Sequence, residues 1–146
     1  MKYTQRGVTL IELLVVIAVI GVLALVLLVA INPLRQLQKA RDTDRKADIA
    51  QIQQALELYR SDQGTYPADG DVDCGDQLAA DGVIYLRSVP CDPTNTGVFR
   101  YVYIPGSSPI LQYTLRACLE NASDAAGVLN GANCGTGVRE YTQYNP

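Results

Sequence analysis

The sequence predicts an α+β protein, in which a long N-terminal helix leads into a second helical stretch packed on a small antiparallel sheet. Three observations carry this. Leu13–Ile31 is nineteen residues without a charge. Apolar residues then recur at helical spacing between Leu34 and Asp62. After Gly64 come short apolar runs separated by Gly, Pro, Asn and Asp, with four cysteines, all beyond residue 73.

The apolar run comes first. A helix over Val8–Ile31 would be about 36 Å long, enough to cross a bilayer's hydrocarbon core of about 30 Å. Lys2 and Arg6 precede it, which favours an inside N-terminus and an exported C-terminus. A secretory signal peptide is disfavoured, because the run is too long for its apolar region and contains Glu12. A carboxylate at that depth is expensive unless something pairs with it, so Glu12 marks a functional position. Gly21 reads as a close-packing glycine. Asn32-Pro33 predicts a kink or opened turn near Leu28–Pro33, since proline removes a backbone donor and crowds the preceding turn.

The stretch Arg6-Gly7-Val8-Thr9-Leu10-Ile11-Glu12 resembles the processing and methylation motif of type IV prepilins and type II secretion pseudopilins. The resemblance implies a pilin-like lollipop fold. It also implies cleavage after Gly7 by a prepilin peptidase and N-methylation of the new first residue, Val8, which stands where the family usually has phenylalanine. Glu12 matches the fifth residue of the mature family chain, whose carboxylate neutralises the N-terminal ammonium of an adjacent subunit. The implied partners are further copies of the chain in a helical filament, an inner-membrane assembly platform, minor pilins or pseudopilins, and the lipid bilayer before assembly. Residues 1–7 are then a leader, 8–33 a transmembrane and filament-core helix, 34–63 an amphipathic helix, and 64–146 a small globular head.

In the second helix Ile49, Ile52, Leu56 and Tyr59 recur at three, four and three residues, a stripe that should face the sheet. The other face carries six basic and five acidic residues between Arg35 and Asp62, including Asp42–Lys46 at pairing distance, Asp44–Asp48 as a repulsive pair, and Arg41–Arg45. A solvated face is the expectation, with lateral subunit contact as the functional alternative. Gly64 and Tyr66-Pro67 stop the helix. Ala55–Pro67 closely resembles the helix end and first loop of major pseudopilins and short pilins, and Tyr66 reads as a packed anchor there.

The head begins with an acidic loop, Ala68–Asp76. It could offer oxygen ligands to calcium, but it lacks the EF-hand glycine and terminal glutamate spacing, so a solvated turn is favoured. Val83–Leu86 and Val89 read as a short buried segment, and Asp92-Pro93 with Asn95-Thr96-Gly97 as turns. Val98–Ile104 and Ile110–Leu119 read as antiparallel strands around Pro105–Pro109, with Tyr101, Tyr103 and Tyr113 packing across them. Asn121–Asp124 is a turn, and Val138–Tyr144 a short last strand. The cysteines, at 74, 91, 118 and 134, imply two disulfides in an oxidising compartment. Local closure suggests Cys74–Cys91 and Cys118–Cys134, while spacing alone leaves the other two connectivities open.

Much catalytic chemistry is excluded. The chain has no histidine, which removes Ser-His-Asp and Cys-His arrangements and His-containing metal sites. The cysteine spacing fits neither a Cys-x-x-Cys redox motif nor zinc, and no phosphate-cradling glycine loop occurs. No cofactor and no metal site are expected. The net charge of -3, with only Arg100 and Arg116 among the strand tyrosines, argues against nucleic-acid binding. The reading is a structural subunit of a type IV pilus or pilus-like filament. The alternatives are the major pseudopilin of a type II secretion system, a competence pseudopilin, and a binding domain on a simple anchor.

Overall fold

The computed structural model describes residues 7–145, and of residues 29–31 only the backbone. Apart from Gly7, the expected leader lies outside the described residues. The chain divides into two units, Met1–Leu37 and Gln38–Pro146.

The first unit holds α1, Leu10–Ile31, and the opening turn of α2, Pro33–Gln63. The helices are separated by Asn32, which takes a left-handed conformation at φ 45° and ψ 75°. Asparagine tolerates that region better than most residues with a Cβ. Its backbone oxygen accepts hydrogen bonds from Arg35 N at 3.1 Å and Gln36 N at 3.4 Å, and its Oδ1 accepts from Arg35 N at 3.4 Å. Asn32 thus closes α1 and caps α2, and Pro33 takes the first helical position, where a missing N–H costs nothing. The break falls inside the stretch where the sequence predicts it.

In the second unit α2 continues against a four-stranded antiparallel sheet. Its strands, β3 (Val102–Pro105), β4 (Tyr113–Leu119), β5 (Val128–Leu129) and β6 (Arg139–Tyr144), lie in the order β3-β4-β6-β5. A separate hairpin pairs β1 (Leu78–Ala80) with β2 (Val83–Leu86). The central strand β4 turns Tyr113, Leu115 and Ala117 toward Ile49, Ile52, Ala55 and Leu56 of α2. That is the period-2 face of a strand meeting the apolar stripe of a helix. Tyr66 closes one end: its ring meets Tyr113 edge-on at 4.6 Å, and its hydroxyl donates to Glu57 at 2.8 Å.

Several strand expectations need correction. Val98–Arg100 are not strand. Thr96 O accepts from Phe99 N and Val98 O from Arg100 N, so the backbone is turned until Tyr101. The partner strand starts at Tyr113 rather than Ile110, because the Ile110 carbonyl is taken by Tyr66 N at 2.8 Å. Val83 and Ile84 are exposed at 47% and 51%, since a two-stranded hairpin buries little of itself; Val89 alone of that segment is deeply buried. The hairpin turn is Asp81-Gly82, with φ of 49° and 80°, the backbone that an Asp-Gly pair favours. Strand β5, inside the Gly/Asn-rich stretch, and strand β1 have no counterpart in the sequence reading.

Candidate functional site

The N-terminal motif is built on a helix start. Thr9 is the N-cap of α1, with extended φ -79° and ψ 151°. Its Oγ1 accepts from Glu12 N at 3.3 Å, while Glu12 Oε2 accepts from Thr9 N at 3.0 Å and Thr9 Oγ1 at 2.9 Å. This reciprocal pair is a capping box, and it satisfies two orphan donors of the first turn. Its signature, Thr-x-x-Glu ahead of an apolar run, stands in the sequence. Among the described residues Glu12 Oε1 makes no hydrogen bond, so one carboxylate oxygen is free for a partner from outside.

Gly7 and Val8 precede the helix. Val8 is 74% exposed, and no described residue lies within 4 Å of where a Gly7 side chain would begin. Behind them Leu10–Leu28 is long and apolar enough to cross a membrane, and none of it is buried within the chain. A helix apolar on every side needs lipid or other helices around it.

A second cluster lies along α2, where a solvated charged face was expected. Arg45 and Asp42 are instead among the most buried side chains of the protein. Arg45 Nε donates to Asp92 Oδ2 at 2.7 Å, and Nη1 to Asp42 Oδ1 and Glu120 Oε1, both at 2.8 Å. Nη2 donates to Asp92 Oδ1 at 3.0 Å and Thr94 Oγ1 at 3.3 Å, so all five guanidinium N–H groups have an acceptor. The Phe99 ring lies 4.8 Å from its centre. Asp42 also accepts the Glu120 and Asn121 amides, at 2.9 and 2.8 Å.

Glu120 sits between Arg41 and Arg45 and accepts from both, which turns the expected like-charge pair into a bridged one. Lys46 goes to Asp124 at 2.5 Å, not to Asp42. Burial raises the Asp92 carboxyl, but the bonds from Arg45 and Thr94 outweigh it and hold the group below its ordinary range. Glu120 is held low chiefly by its hydrogen bond from Arg41, and Asp124 by Lys46. The cluster fastens α2 to the loop after Cys91 and to the end of β4. The period of the charges offers only the Asp42–Arg45 pair, because the other two carboxylates, Asp92 and Glu120, are 47 and 75 residues away from Arg45.

The cysteines join as Cys74–Cys91 and Cys118–Cys134, the pairing that local closure suggests. The first ties the acidic loop to the loop that carries Asp92, and the second ties β4 to the segment after β5. Asp69, Asp71, Asp73 and Asp76 are exposed, and among the described residues no cluster has the makings of a metal site.

Comparison with known families decides the class. Residues 2–28 match the prokaryotic N-terminal methylation motif, and residues 32–118 match protein G of the type II secretion system. The chain belongs to the type II secretion protein G family. No curated protein and no solved structure matches it. As a member of this pilin-like family it is a structural subunit with an N-terminal processing and methylation motif, not an enzyme. Membership also implies self-association and work with a processing peptidase and a secretion machinery. It moves the balance away from the type IV pilus, the machine that the sequence reading favoured, toward the secretion system.

Proposed function

We propose that this chain is the major pseudopilin of a type II secretion system. It is inserted in the cytoplasmic membrane through residues 8–33 with its head exported, cut after Gly7, methylated at Val8, and polymerised through α1 into a short filament that drives protein export. The observation that carries this reading is the protein G match, which begins at Asn32 and therefore rests on α2 and the head rather than on the shared N-terminal motif. The exposed apolar span Leu10–Leu28 of α1 supports polymerisation, since the surface that lipid covers in the single subunit can be covered by neighbouring helices in the filament. Two closed disulfides support an exported head.

The test is a deletion of the gene and its complementation, with secreted proteins and surface filaments measured in parallel. Loss of protein secretion with surface filaments intact supports the reading. Loss of long external filaments with secretion intact overturns it in favour of a pilus. Mass analysis of the assembled chain should find an N-terminus at Val8, one methyl group heavier.

A further inference from the structure

The two disulfides differ in access. Cys118 and Cys134 are 3% and 2% exposed, whereas both residues of Cys74–Cys91 lie at the surface. A dithiol in solution therefore reaches the first bond while the head stays folded, and the second only when the head opens.

The exposed bond also stands next to the buried charge cluster. Cys91 is the residue before Asp92, which grips Arg45 through both carboxylate oxygens. The segment that presents Asp92 is fastened in steps. Val89 N donates to Asp76 O at 2.7 Å, and Gly75 N donates to Val89 O at 2.9 Å. The Cys74–Cys91 bond follows, and Asn95 Nδ2 donates to Cys74 Sγ at 3.8 Å. The Thr94 and Asn95 amides then donate to Asp92 Oδ1, at 2.9 and 3.3 Å, and aim the carboxylate at Arg45. At the far end Tyr101 donates to Asp48 at 2.7 Å. A buried ion pair offsets its desolvation only while its geometry is kept, so freeing the chain at Cys91 weakens the grip of Asp92.

We propose that Cys74–Cys91 is a redox latch on the Arg45–Asp92 clasp, opened by dithiols while Cys118–Cys134 stays bonded, so that the head closes fully only in oxidising surroundings. One thiolate of the dithiol attacks a sulfur of the pair and displaces the other, and the second thiol of the reductant then closes its own disulfide. The dithiol gives up two electrons and two protons, and Cys74 and Cys91 end as two thiols. Latch and clasp are linked, so a weakened clasp makes the bond easier to reduce.

The test uses the full-length chain in detergent micelles, equilibrated with reduced and oxidised dithiothreitol, then alkylated and mapped by peptide mass. Alkylation should fall on Cys74 and Cys91, with Cys118 and Cys134 still joined. Amide exchange at Thr94 and Asn95 should quicken about tenfold on reduction, while that of Leu115 and Ala117 in β4 holds. Cys74→Ser with Cys91→Ser should show the faster exchange with no dithiol present. Thr94→Val removes the hydroxyl that Asp92 and Arg45 share. It should raise the reduced-to-oxidised ratio at residues 74 and 91 up to about fivefold at a fixed dithiol ratio, the worth of one hydrogen bond. Equal alkylation of all four cysteines, or of Cys118 and Cys134 first, overturns the selective access. Unchanged exchange at Thr94 and Asn95 overturns the latch, and so does an equal rise in β4, which would make the bond a general staple. An unchanged ratio in Thr94→Val severs the bond from the clasp and also overturns the proposal.

Discussion

Arg45 shows how one side chain can hold two parts of a sequence together. Its guanidinium is fully buried, yet every N–H is used, and the three carboxylates around it are shared with Thr94, Arg41 and the amides of residues 120 and 121. A buried ion pair need not add net stability, but removing one partner leaves the others charged and unpaired. Arg45→Met, which keeps the bulk, should therefore destabilise the head by about 3–5 kcal/mol in urea unfolding. Arg45→Lys should fall between, because an ammonium cannot match the fork to Asp92. The cluster also predicts acid sensitivity. Asp92 and Glu120 are held below their ordinary values in the folded chain, so their contribution is complete above the unfolded carboxyl range near pH 4. It is lost as pH falls through the lower folded values. Unfolding midpoints measured from pH 6 to 2 should drop below about pH 4, and Arg45→Met should flatten that drop.

At the scale of elements, legibility followed the range of the interactions. The helices were readable because their signals are local: an uncharged run, a stripe at helical spacing, and Asn32-Pro33 between them. Strands β4 and β6 were readable in outline for the same reason. The start of β3 was not, since Val98–Arg100 alternates like a strand while Phe99 is drawn to Arg45 and Tyr101 to Asp48, contacts distant in sequence. Strand β5 has only two residues, exposed, in a stretch of Gly and Asn. It is held by pairing with Glu140 and Arg139 and by the Arg139 bond to the Gly127 carbonyl. The capping box and the Asp81-Gly82 turn are legible, because each is a local signal of four residues or fewer. The second disulfide closes this weak region. Cys118→Ser with Cys134→Ser should lower head stability by roughly 3 kcal/mol, the entropy of a loop of that size. Hydrogen exchange should show the loss first at Val128–Leu129 and last in the centre of β4.

For the whole molecule, the question is what α1 does with Glu12. In the single chain the carboxylate is partly answered by Thr9, through one oxygen, while the other has no partner among the described residues, at the start of a helix that is apolar on every side. The capping box lowers the cost of holding a charge there without removing it. A neighbouring subunit that brings a processed Val8 ammonium to the open oxygen would complete the neutralisation, and a subunit out of register would not. The charge would then select the register, although the net energy of a buried pair can be small. Glutamine at the third helical position completes a capping box as glutamate does, so Glu12→Gln keeps the helix start and removes only the charge. Cleavage after Gly7 and folding of the head should be unchanged in this variant, because the Gly7–Val8 junction and the helix start are kept and the head lies far along the chain. Filament yield should fall at least tenfold, the effect of about 1.4 kcal/mol per added subunit. Processed subunit in the membrane and filament recovered by shearing are to be measured separately. Glu12→Gln subunits that are processed and polymerise at the rate and yield of the unaltered chain would show that charge does not set the register.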